Sequence, residues 1–515
     1  MSLAAQRKAR QSPDAVALAD ERTALSWAEL DLLINRAANG VSGAMADKPG
    51  RIGVFAPNSA ETVIAYLAGL HAGVSPVPIS FHLTPGEVAY ILQDGEVGML
   101  FVGPETAEVG LAAARQAGVE TVIGWRCPPM DGLTPWEAWL AGASPDEPRT
   151  DRTPQPFLHY TSGTTGRPKG AETPPTMFPR TPTLVEFFDA MRVQAEAQPA
   201  GPGLAVGPLY HTGPLGSVRQ LAGGKPLVVL ERFDAERVLE AIQRHGVSTT
   251  VMVPTHFQRL LALPPETRAR FDVSSLRTVA HTGAACPPDV KRQMIDWFGP
   301  VLLEAYGGTE AGTTNMITSE DWLRKPGSVG KTVAPFELVV VDDDDRPLGV
   351  GEVGRLYFRD TSGRGVIYHN DPEKTRAAHL QPGVFTLGEI GYVDEDGYVF
   401  ITDRVSDMIV SGGVNIYPAE IEQVLIQHPD VADVAVIGVP NPVMGEDVKA
   451  LVIPSDATQP PSSEALTAFC REHLAGFKCP RSFDLVDDLG RNAMGKVNKR
   501  ALRRPYWPTD RTIGG

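Results

Sequence analysis

Cysteine is scarce in this sequence. Only four occur among 515 residues, at Cys127, Cys286, Cys470 and Cys479. Their spacing gives neither the density of a disulfide framework nor the close pairs of a metal site. The sequence therefore predicts free thiols and a reducing compartment, the cytoplasm.

Long uninterrupted apolar runs are also missing. The longest apolar stretch, 63–79, is interrupted by His71, Gly73, Ser75, Pro76 and Pro78. It therefore predicts a buried helix that turns into a strand, not a membrane span. The first sixteen residues, MSLAAQRKARQSPDAV, have no apolar core of the length found in signal peptides. We expect no integral contact with a membrane.

An excess of basic charge is absent as well. The chain carries 62 acidic and 47 basic residues, a net charge of −15, which argues against a nucleic-acid-binding surface. A hydrophobic content of 42% is ordinary for a globular protein. At 515 residues the chain is too long for one hydrophobic core, so two or more domains are expected.

Helical and strand patterns alternate along residues 1–130 and again along 203–335. One helix is predicted to open at Ser26, and another to run from Ser59 to Ala72. Such alternation indicates an α/β fold with parallel sheets covered by helices. From residue 336 the pattern changes to hairpins, and after Arg404 a separate small α+β unit begins. The predicted domains are 1–403 and 404–515.

The stretch YTSGTTGRPKG, residues 160–170, combines glycines, hydroxyl side chains and two cations in one loop. Glycines let backbone N–H groups approach a phosphate closely, and hydroxyls and cations add donors and positive charge. The loop is not a Walker sequence, because no glycine lies at the required distance before a Gly-Lys pair. Taken alone, it also fits a flexible surface loop.

This stretch resembles the phosphate loop of the AMP-forming acyl-adenylating enzymes: acyl-CoA synthetases, luciferase and peptide-synthetase adenylation domains. The resemblance is nearest to actinobacterial acyl-CoA synthetases. Six further stretches follow in the order of that family: PLYHTGP (208–214), TVAHTGAACPP (278–288), EAYGGTEAG (304–312), FTLGEIGYVDEDGY (385–398), DRVSDMIVSGGVNIYPAEIE (403–422) and GRNAMGKVNKRAL (490–502). The resemblance implies an α/β fold with a large N-terminal domain, a barrel-like subdomain and a small mobile C-terminal α+β lid.

The resemblance also implies binding residues for ATP, Mg²⁺ and coenzyme A. The phosphate set is Thr161, Ser162, Gly163, Thr164, Gly166 and Lys169, with Thr309 as a further hydroxyl. The adenine set is Gly283, Ala284, Ala285 and Tyr306, and Gly307 would leave room for the acyl chain. Glu389 and Arg404 would hold the ribose, and Gly412 and Gly413 would line the pantetheine tunnel.

The catalytic roles implied by the resemblance fall on four residues. Lys496 would bridge the substrate carboxylate and the α-phosphate, and Glu310 would be the Mg²⁺ ligand. His211 would flank the acyl group, although a packed loop histidine is the alternative from the residue alone. Thr165 of the phosphate loop completes the set.

The sequence departs from the family pattern at three places. Glu389 stands where the family has an aspartate, so a carboxylate is kept on a longer arm. Ser406 occupies the hinge position, where many relatives carry Asp or Lys. Four prolines in 173–183 exclude a regular helix where the family usually begins one.

The implied activity is that of an AMP-forming carboxylic acid–CoA ligase acting on small molecules. The almost uncharged segment Val251–Pro254 suggests a hydrophobic acid, with Arg219 as the nearby cation that argues against this. Three alternatives remain: an amino-acid adenylation domain, an acyl-AMP ligase with another acceptor, and a non-catalytic nucleotide- or acyl-binding relative. An amino-acid adenylation domain would carry an acidic residue that PLYHTGP lacks. An acyl-AMP ligase usually carries an insertion. A homo-oligomer is left open.

Overall fold

The computed structural model describes the chain apart from residues 1–3, 47–49, 162–167, 405–406, 412–413, 442–443, 475, 493–494 and 508–515. The chain forms two compact units. The first comprises Met1–Thr282, Val290–Thr314 and Gly365–Ala378; the second comprises Gly283–Asp289, Asn315–Arg364 and His379–Gly515. Within the described ranges, no helix is both long and apolar enough to cross a membrane. The predicted boundary between residues 403 and 404 stays a prediction.

Seventeen α-helices occur in the described parts of the chain. In chain order they are α1 (Ala4–Gln11), α2 (Trp27–Ala44), α3 (Ala60–Ala72), α4 (Pro85–Asp94), α5 (Ala107–Ala117), α6 (Trp136–Ala141), α7 (Leu184–Glu196), α8 (Thr212–Ala222), α9 (Ala235–His245), α10 (Pro254–Leu261), α11 (Pro265–Arg268), α12 (Pro288–Phe298), α13 (Ser319–Arg324), α14 (Pro372–Ala377), α15 (Pro418–Leu425), α16 (Ser463–His473) and α17 (Lys499–Arg503). A 3₁₀ turn, Arg504–Tyr506, follows the last of them.

The strands of the same described parts number twenty-seven. They are β1 (Val16–Ala19), β2 (Ala24–Ser26), β3 (Arg51–Phe55), β4 (Pro76–Pro78), β5 (Val97–Val102), β6 (Thr121–Gly124), β7 (Thr134–Pro135), β8 (Leu158–Thr161), β9 (Lys169–Glu172), β10 (Gly203–Ala205), β11 (Leu227–Val229), β12 (Thr249–Met252), β13 (Thr278–His281), β14 (Leu302–Gly308), β15 (Gly312–Thr318), β16 (Lys331–Thr332), β17 (Phe336–Val341), β18 (Gly354–Asp360), β19 (His379–Gln381), β20 (Val384–Phe385), β21 (Glu389–Val393), β22 (Val399–Arg404), β23 (Ile409–Ser411), β24 (Val414–Ile416), β25 (Val431–Asn441), β26 (Gly445–Pro454) and β27 (Ser482–Leu485).

Two parallel sheets form the first unit. One runs in the order β14-β13-β12-β10-β11-β1, with β2 added antiparallel at its edge. The other has the order β4-β3-β5-β6-β7 and is parallel throughout. Parallel strands need crossover connections, and most of those here contain helices, the link from β6 to β7 being an exception. The α/β fold predicted from the alternating pattern is confirmed.

Antiparallel pairing dominates the second unit. One sheet has the order β19-β20-β18-β21-β22, with β17 also paired to β18. The hairpin predicted for GYVDEDGYVF is confirmed as β21 and β22. A further sheet, β24-β23-β26-β25, carries β27 parallel to β26. Helices α15 and α16 bury Ile421 and Leu466 in the same core as its strands.

Local sequence signals fix several helix ends as predicted. Ser26 caps α2 and forms a reciprocal capping box with Glu29, and Ser59 caps α3. Helix α3 is buried along its whole length and leads into β4, as the apolar stretch 63–79 predicted. All four cysteines are described, and none of them is in a disulfide bond.

The proline-rich segment 173–183 forms a turn instead of a helix, as predicted. The N–H groups of Met177 and Phe178 both donate to the Pro174 carbonyl. Thr183 then caps α7, so the helix begins at Leu184, after the last of these prolines. Phe178 is buried and stacks on Phe187 of that helix, with ring centroids 4.4 Å apart.

Candidate active site

The phosphate-loop stretch is held at its two ends by a β-hairpin in the first unit. Strand β8 delivers Thr161 and strand β9 begins at Lys169, and these two residues are direct partners in the antiparallel register. The predicted strand before the loop is therefore confirmed. The loop residues Ser162, Gly163, Thr164, Thr165 and Gly166 lie outside the described residues.

Lys169 forms an ion pair with the acidic residue that precedes α14. Its Nζ lies 3.3 Å from Oδ2 of Asp371. The other oxygen of Asp371 accepts from the backbone N–H of Lys374 and so caps α14. The cap and the nearby lysines lower the pKa of Asp371, which keeps it a carboxylate beside Lys169.

Glu310 lies in the same group of side chains. The hydroxyl of Tyr368 donates a 2.7 Å hydrogen bond to Glu310 Oε1. The Lys374 ammonium lies over the Tyr368 ring, 3.7 Å from its centroid. Burial lowers the pKa of Lys374, and Lys169 lowers it further, against the opposite pull of Glu310 and Asp371. Lys169, Glu310, Tyr368, Asp371 and Lys374 thus form one charged cluster.

This cluster fits a magnesium ion shared with phosphate groups. Oε2 of Glu310 accepts no hydrogen bond from any described residue, so it is left for a hard cation. Mg²⁺ is usually held by one or two carboxylates together with substrate phosphates, not by a dedicated protein cage. The described residues contain no group of three or more His, Cys, Asp or Glu side chains that could hold a metal ion by themselves.

The segment around Tyr306 is a tight hairpin turn between β14 and β15. Thr309 Oγ1 lies 3.1 Å from Thr212 Oγ1, which joins this turn to the first residue of α8. A Cβ atom on Gly307 would lie 1.9 Å from the Gly312 carbonyl oxygen, so the close approach of the two strands requires glycine there. Space for the acyl chain at Gly307 stays a prediction.

A buried ion pair supports the strand that leads to Tyr306. Lys291 of α12 donates to Glu304 Oε2 at 2.5 Å, and His281 Nε2 lies 3.6 Å from the same oxygen. Lys291 and His281 have no measurable exposure. Removing one member of such a pair would leave an uncompensated buried charge, so the pair ties α12 and β13 to β14.

The second unit carries most of the other predicted residues. Glu389 is buried, 6% exposed, and begins β21 directly opposite Arg404 of β22. Lys496 is exposed, and its backbone N–H donates to Asn492 Oδ1 at 3.0 Å. Gly283 adopts a φ of +91°, a conformation that favours glycine, at the start of the Gly283–Ala284–Ala285 segment. Gly412 and Gly413 lie outside the described residues.

His211 lies just before α8, and its ring is 4.4 Å from that of Tyr210. Sequence reasoning did not identify Tyr368, Asp371 or Lys374. The available signal was the stretch YHNDPEKT, where an aspartate followed by proline predicts a helix start with the aspartate as cap. Nothing in that signal indicates contact with a residue as distant in sequence as Glu310.

The family models decide the identity of the fold. The model described as AMP-binding enzyme matches residues 5–366, and the model described as AMP-binding enzyme C-terminal domain matches residues 420–496. The chain belongs to the AMP-binding enzyme family. Its members use ATP, Mg²⁺ and coenzyme A, and this chain is an AMP-forming acid–thiol ligase, as the sequence predicted.

Curated relatives of this AMP-binding enzyme include two actinobacterial proteins. It is 34% identical over 505 residues to a feruloyl-CoA synthase from Amycolatopsis, covering 97% of this chain and 98% of the relative. It is 35% identical over 525 residues to a Mycobacterium tuberculosis 3-[(3aS,4S,7aS)-7a-methyl-1,5-dioxo-octahydro-1H-inden-4-yl]propanoyl:CoA ligase, covering 96% and 97%.

Among solved structures, it is similar to the o-succinylbenzoate CoA synthetase of Bacillus subtilis in complex with its acyl-adenylate. The TM-score is 0.78 at 26% identity, with 98% of each chain covered.

Proposed function

We propose that this enzyme activates a hydrophobic carboxylic acid to its acyl adenylate and then transfers the acyl group to coenzyme A. The observation that carries the proposal is the cluster in which Lys169 and Lys374 lie close to Glu310 and Tyr368. Such a cluster can hold a negatively charged polyphosphate, since it offers two ammonium groups and an oxygen ligand for magnesium. The names of the feruloyl and indane-propanoyl relatives support an acid with a large apolar body.

Like charges meet when a carboxylate attacks the α-phosphate, so the protein must offset their repulsion. Lys169 of the hairpin is proposed to neutralise phosphate oxygens, and Lys496 to contact both the carboxylate and the α-phosphate. When bound, magnesium supplies further charge neutralisation at the phosphates. Glu310 is proposed as its ligand, with the carboxylate oriented by Tyr368.

Glu389 and Arg404 are proposed to hold the ribose. Their pairing at one end of the β21–β22 hairpin supports a joint role, since the register places the two residues directly opposite each other. Tyr306 and the Gly283–Ala285 segment are proposed to contact adenine, and His211 to flank the acyl group. Four cysteines outside any disulfide bond support a reducing cytoplasm as the compartment.

Release of pyrophosphate tests the proposal. Purified enzyme is mixed with MgATP and one acid from a panel of octanoate, ferulate, a steroid side-chain acid and malonate, with and without coenzyme A. We expect pyrophosphate with the hydrophobic acids, and thioester and AMP only when coenzyme A is present. Turnover of malonate equal to that of octanoate would refute the proposal that the substrate is a hydrophobic acid. Pyrophosphate without any thioester would instead favour an acyl-AMP ligase with another acceptor.

A further inference from the structure

Helix α8 of the first unit carries a guanidinium group that nothing in the described chain neutralises. Nη1 of Arg219 is buried and has no hydrogen-bond partner among the described residues. Burial alone lowers the pKa of Arg219, to about 10, and no described carboxylate opposes that effect. The side chain is therefore still protonated at neutral pH. Arg219 as a whole is half-buried, but a cationic N–H group that reaches neither water nor a described partner is costly, so its retention calls for a ligand.

Arg219 shares one face of α8 with Thr212 and Gly216, and this face extends toward the charged cluster around Glu310. Thr212, Gly216 and Arg219 are spaced four and three residues apart, which places them on one stripe of an α-helix. Thr212 is hydrogen-bonded to Thr309, the neighbour of Glu310. Arg219 lies seven residues further on, about 10 Å along the helix axis.

The face of α8 formed by Thr212, Gly216 and Arg219 borders open space at Gly216. Gly216 has no side chain, and Nη2 of Arg219 lies 3.6 Å from where its Cβ would be, so the guanidinium folds back toward the Thr212 end. At that end a Cβ on Gly213 would lie 3.5 Å from Val251 Cγ1 and from Thr282 Cγ2. The wall at the Thr212 end, where the reacting carboxylate would lie, is therefore mainly aliphatic. The opposite end carries the Arg219 cation.

The imidazole groups near Arg219 do not supply the missing negative charge. His159 of β8 is buried, and its Nε2 has no hydrogen-bond partner within the described ranges. Burial, helped by the positive charge of Arg219 and by the nearby His211, lowers the pKa of His159 to about 3. A neutral His159 next to a charged Arg219 forms a donor-rich, net positive site.

We propose that Arg219 binds a second carboxylate at the distal end of the substrate, so that the enzyme prefers a long dicarboxylic acid with an apolar middle. This inference rests on the proposed function. The apolar wall accommodates the hydrophobic body, and a short diacid such as malonate does not reach from the reacting end to Arg219. A carboxylate matches the guanidinium in charge and in its two-oxygen geometry.

Paired acids of equal length test this. Initial rates of pyrophosphate release are measured with suberate and octanoate for wild type, Arg219→Lys and Arg219→Met. For the wild type we expect kcat/KM for suberate to exceed that for octanoate by about tenfold or more, the usual worth of a hydrogen bond to a charged group. Arg219→Met should invert this order, and Arg219→Lys should keep part of it. Lys225→Met, which removes a buried cation already bonded to the Pro199 carbonyl, is the matched control and should leave the ratio unchanged.

Thermal melting separates a ligand-binding role from a structural one. Without substrate, Arg219→Met should melt at or above the wild-type temperature, because it removes an unpaired buried charge. Suberate should raise the melting temperature of the wild type but not of Arg219→Met. An unchanged suberate-to-octanoate ratio in Arg219→Met, or a destabilised unliganded variant, overturns the inference. If no acid supports pyrophosphate release, the proposed function fails, and the suberate-induced melting shift alone then decides the role of Arg219.

Discussion

The hydroxyl of Tyr368 and the carboxylate of Glu310 are joined by a 2.7 Å hydrogen bond, although 58 residues separate them in the sequence. The bond fixes one oxygen of Glu310 and leaves the other without a described partner. Partners of this kind orient metal ligands, and their loss usually weakens metal binding by a factor of 10 to 100. Tyr368 is thus a positioning residue for the proposed magnesium ligand.

Tyr368→Phe should raise the Mg²⁺ concentration needed for half-maximal pyrophosphate release by about tenfold. At saturating Mg²⁺ most of the maximal rate should return, because the variant loses orientation of Glu310 and not the ligand itself. The measurement is a magnesium titration at fixed ATP. Tyr392→Phe, which alters a ring stacked on Phe400, is the control and should show the wild-type titration. A Tyr368→Phe titration identical to the wild type would remove the positioning role.

Variants of Glu389 test whether its carboxylate, which lies on a longer side chain than that of aspartate, binds the ribose. Glu389→Ala should raise the KM for ATP by about ten- to a hundredfold, since a hydrogen bond to a charged group contributes roughly 1.5–3 kcal/mol. Glu389→Asp restores the residue that the family usually has and should be mild or improve binding. ATP kinetics are measured at saturating acid and coenzyme A. Unchanged ATP kinetics in the alanine variant would mean that other residues hold the ribose.

Local patterns were sufficient to predict most of the fold. The capping serines Ser26 and Ser59 and the prolines of 173–183 act within a few residues of their own position, so the sequence shows their effect directly. The cluster around Glu310 depends on contacts between distant segments. Periodicity and capping signals carry no information on such contacts, which explains why Tyr368 was missed. Arg219 shows the same limit, because the absence of a described partner for its Nη1 is a property of the folded chain.

His71 is expected to make the enzyme sensitive to acid. It is buried in α3 and packs against Phe188, with ring centroids 4.2 Å apart, and neither ring nitrogen has a described hydrogen-bond partner. Burial lowers the pKa of His71 from 6.5 to about 3. Between these values the unfolded chain binds the proton and the folded chain does not, so stability rises with pH and is lost as pH falls.

His71→Leu should therefore gain stability relative to the wild type as the pH is lowered. The gain from removing this histidine should be about 2 kcal/mol larger at pH 5 than at pH 7.5. Urea unfolding of both proteins at the two pH values measures it. Val63→Ala, which alters a buried apolar residue of the same helix, is the control and should differ from the wild type equally at both pH values. If His71→Leu also differed from the wild type equally at both pH values, protonation of His71 would not be the cause of the pH dependence.

Lys496 and Ser406 together test whether the C-terminal lid alternates between two states. Lys496 is exposed; its backbone N–H donates to Asn492 Oδ1, and its carbonyl oxygen accepts from the backbone N–H of Asn492. Lys496→Ala should reduce pyrophosphate release by a factor on the order of 10²–10³, as expected for removing one electrostatic stabiliser. Lys478→Ala, which removes a lysine paired with Glu420 in the same unit, is the control and should stay near the wild-type rate.

Supplied with prepared acyl-AMP and coenzyme A, Lys496→Ala should still form thioester, because the lysine is proposed to act only during adenylation. Ser406→Pro should do the reverse. Ser406 lies outside the described residues, but proline at any hinge fixes φ near −65° and hinders rotation while leaving one position available. It should release pyrophosphate in a single turnover and lose thioester formation. Equal loss of both half-reactions in both variants would contradict an alternating lid, and with it the role assigned to Lys496.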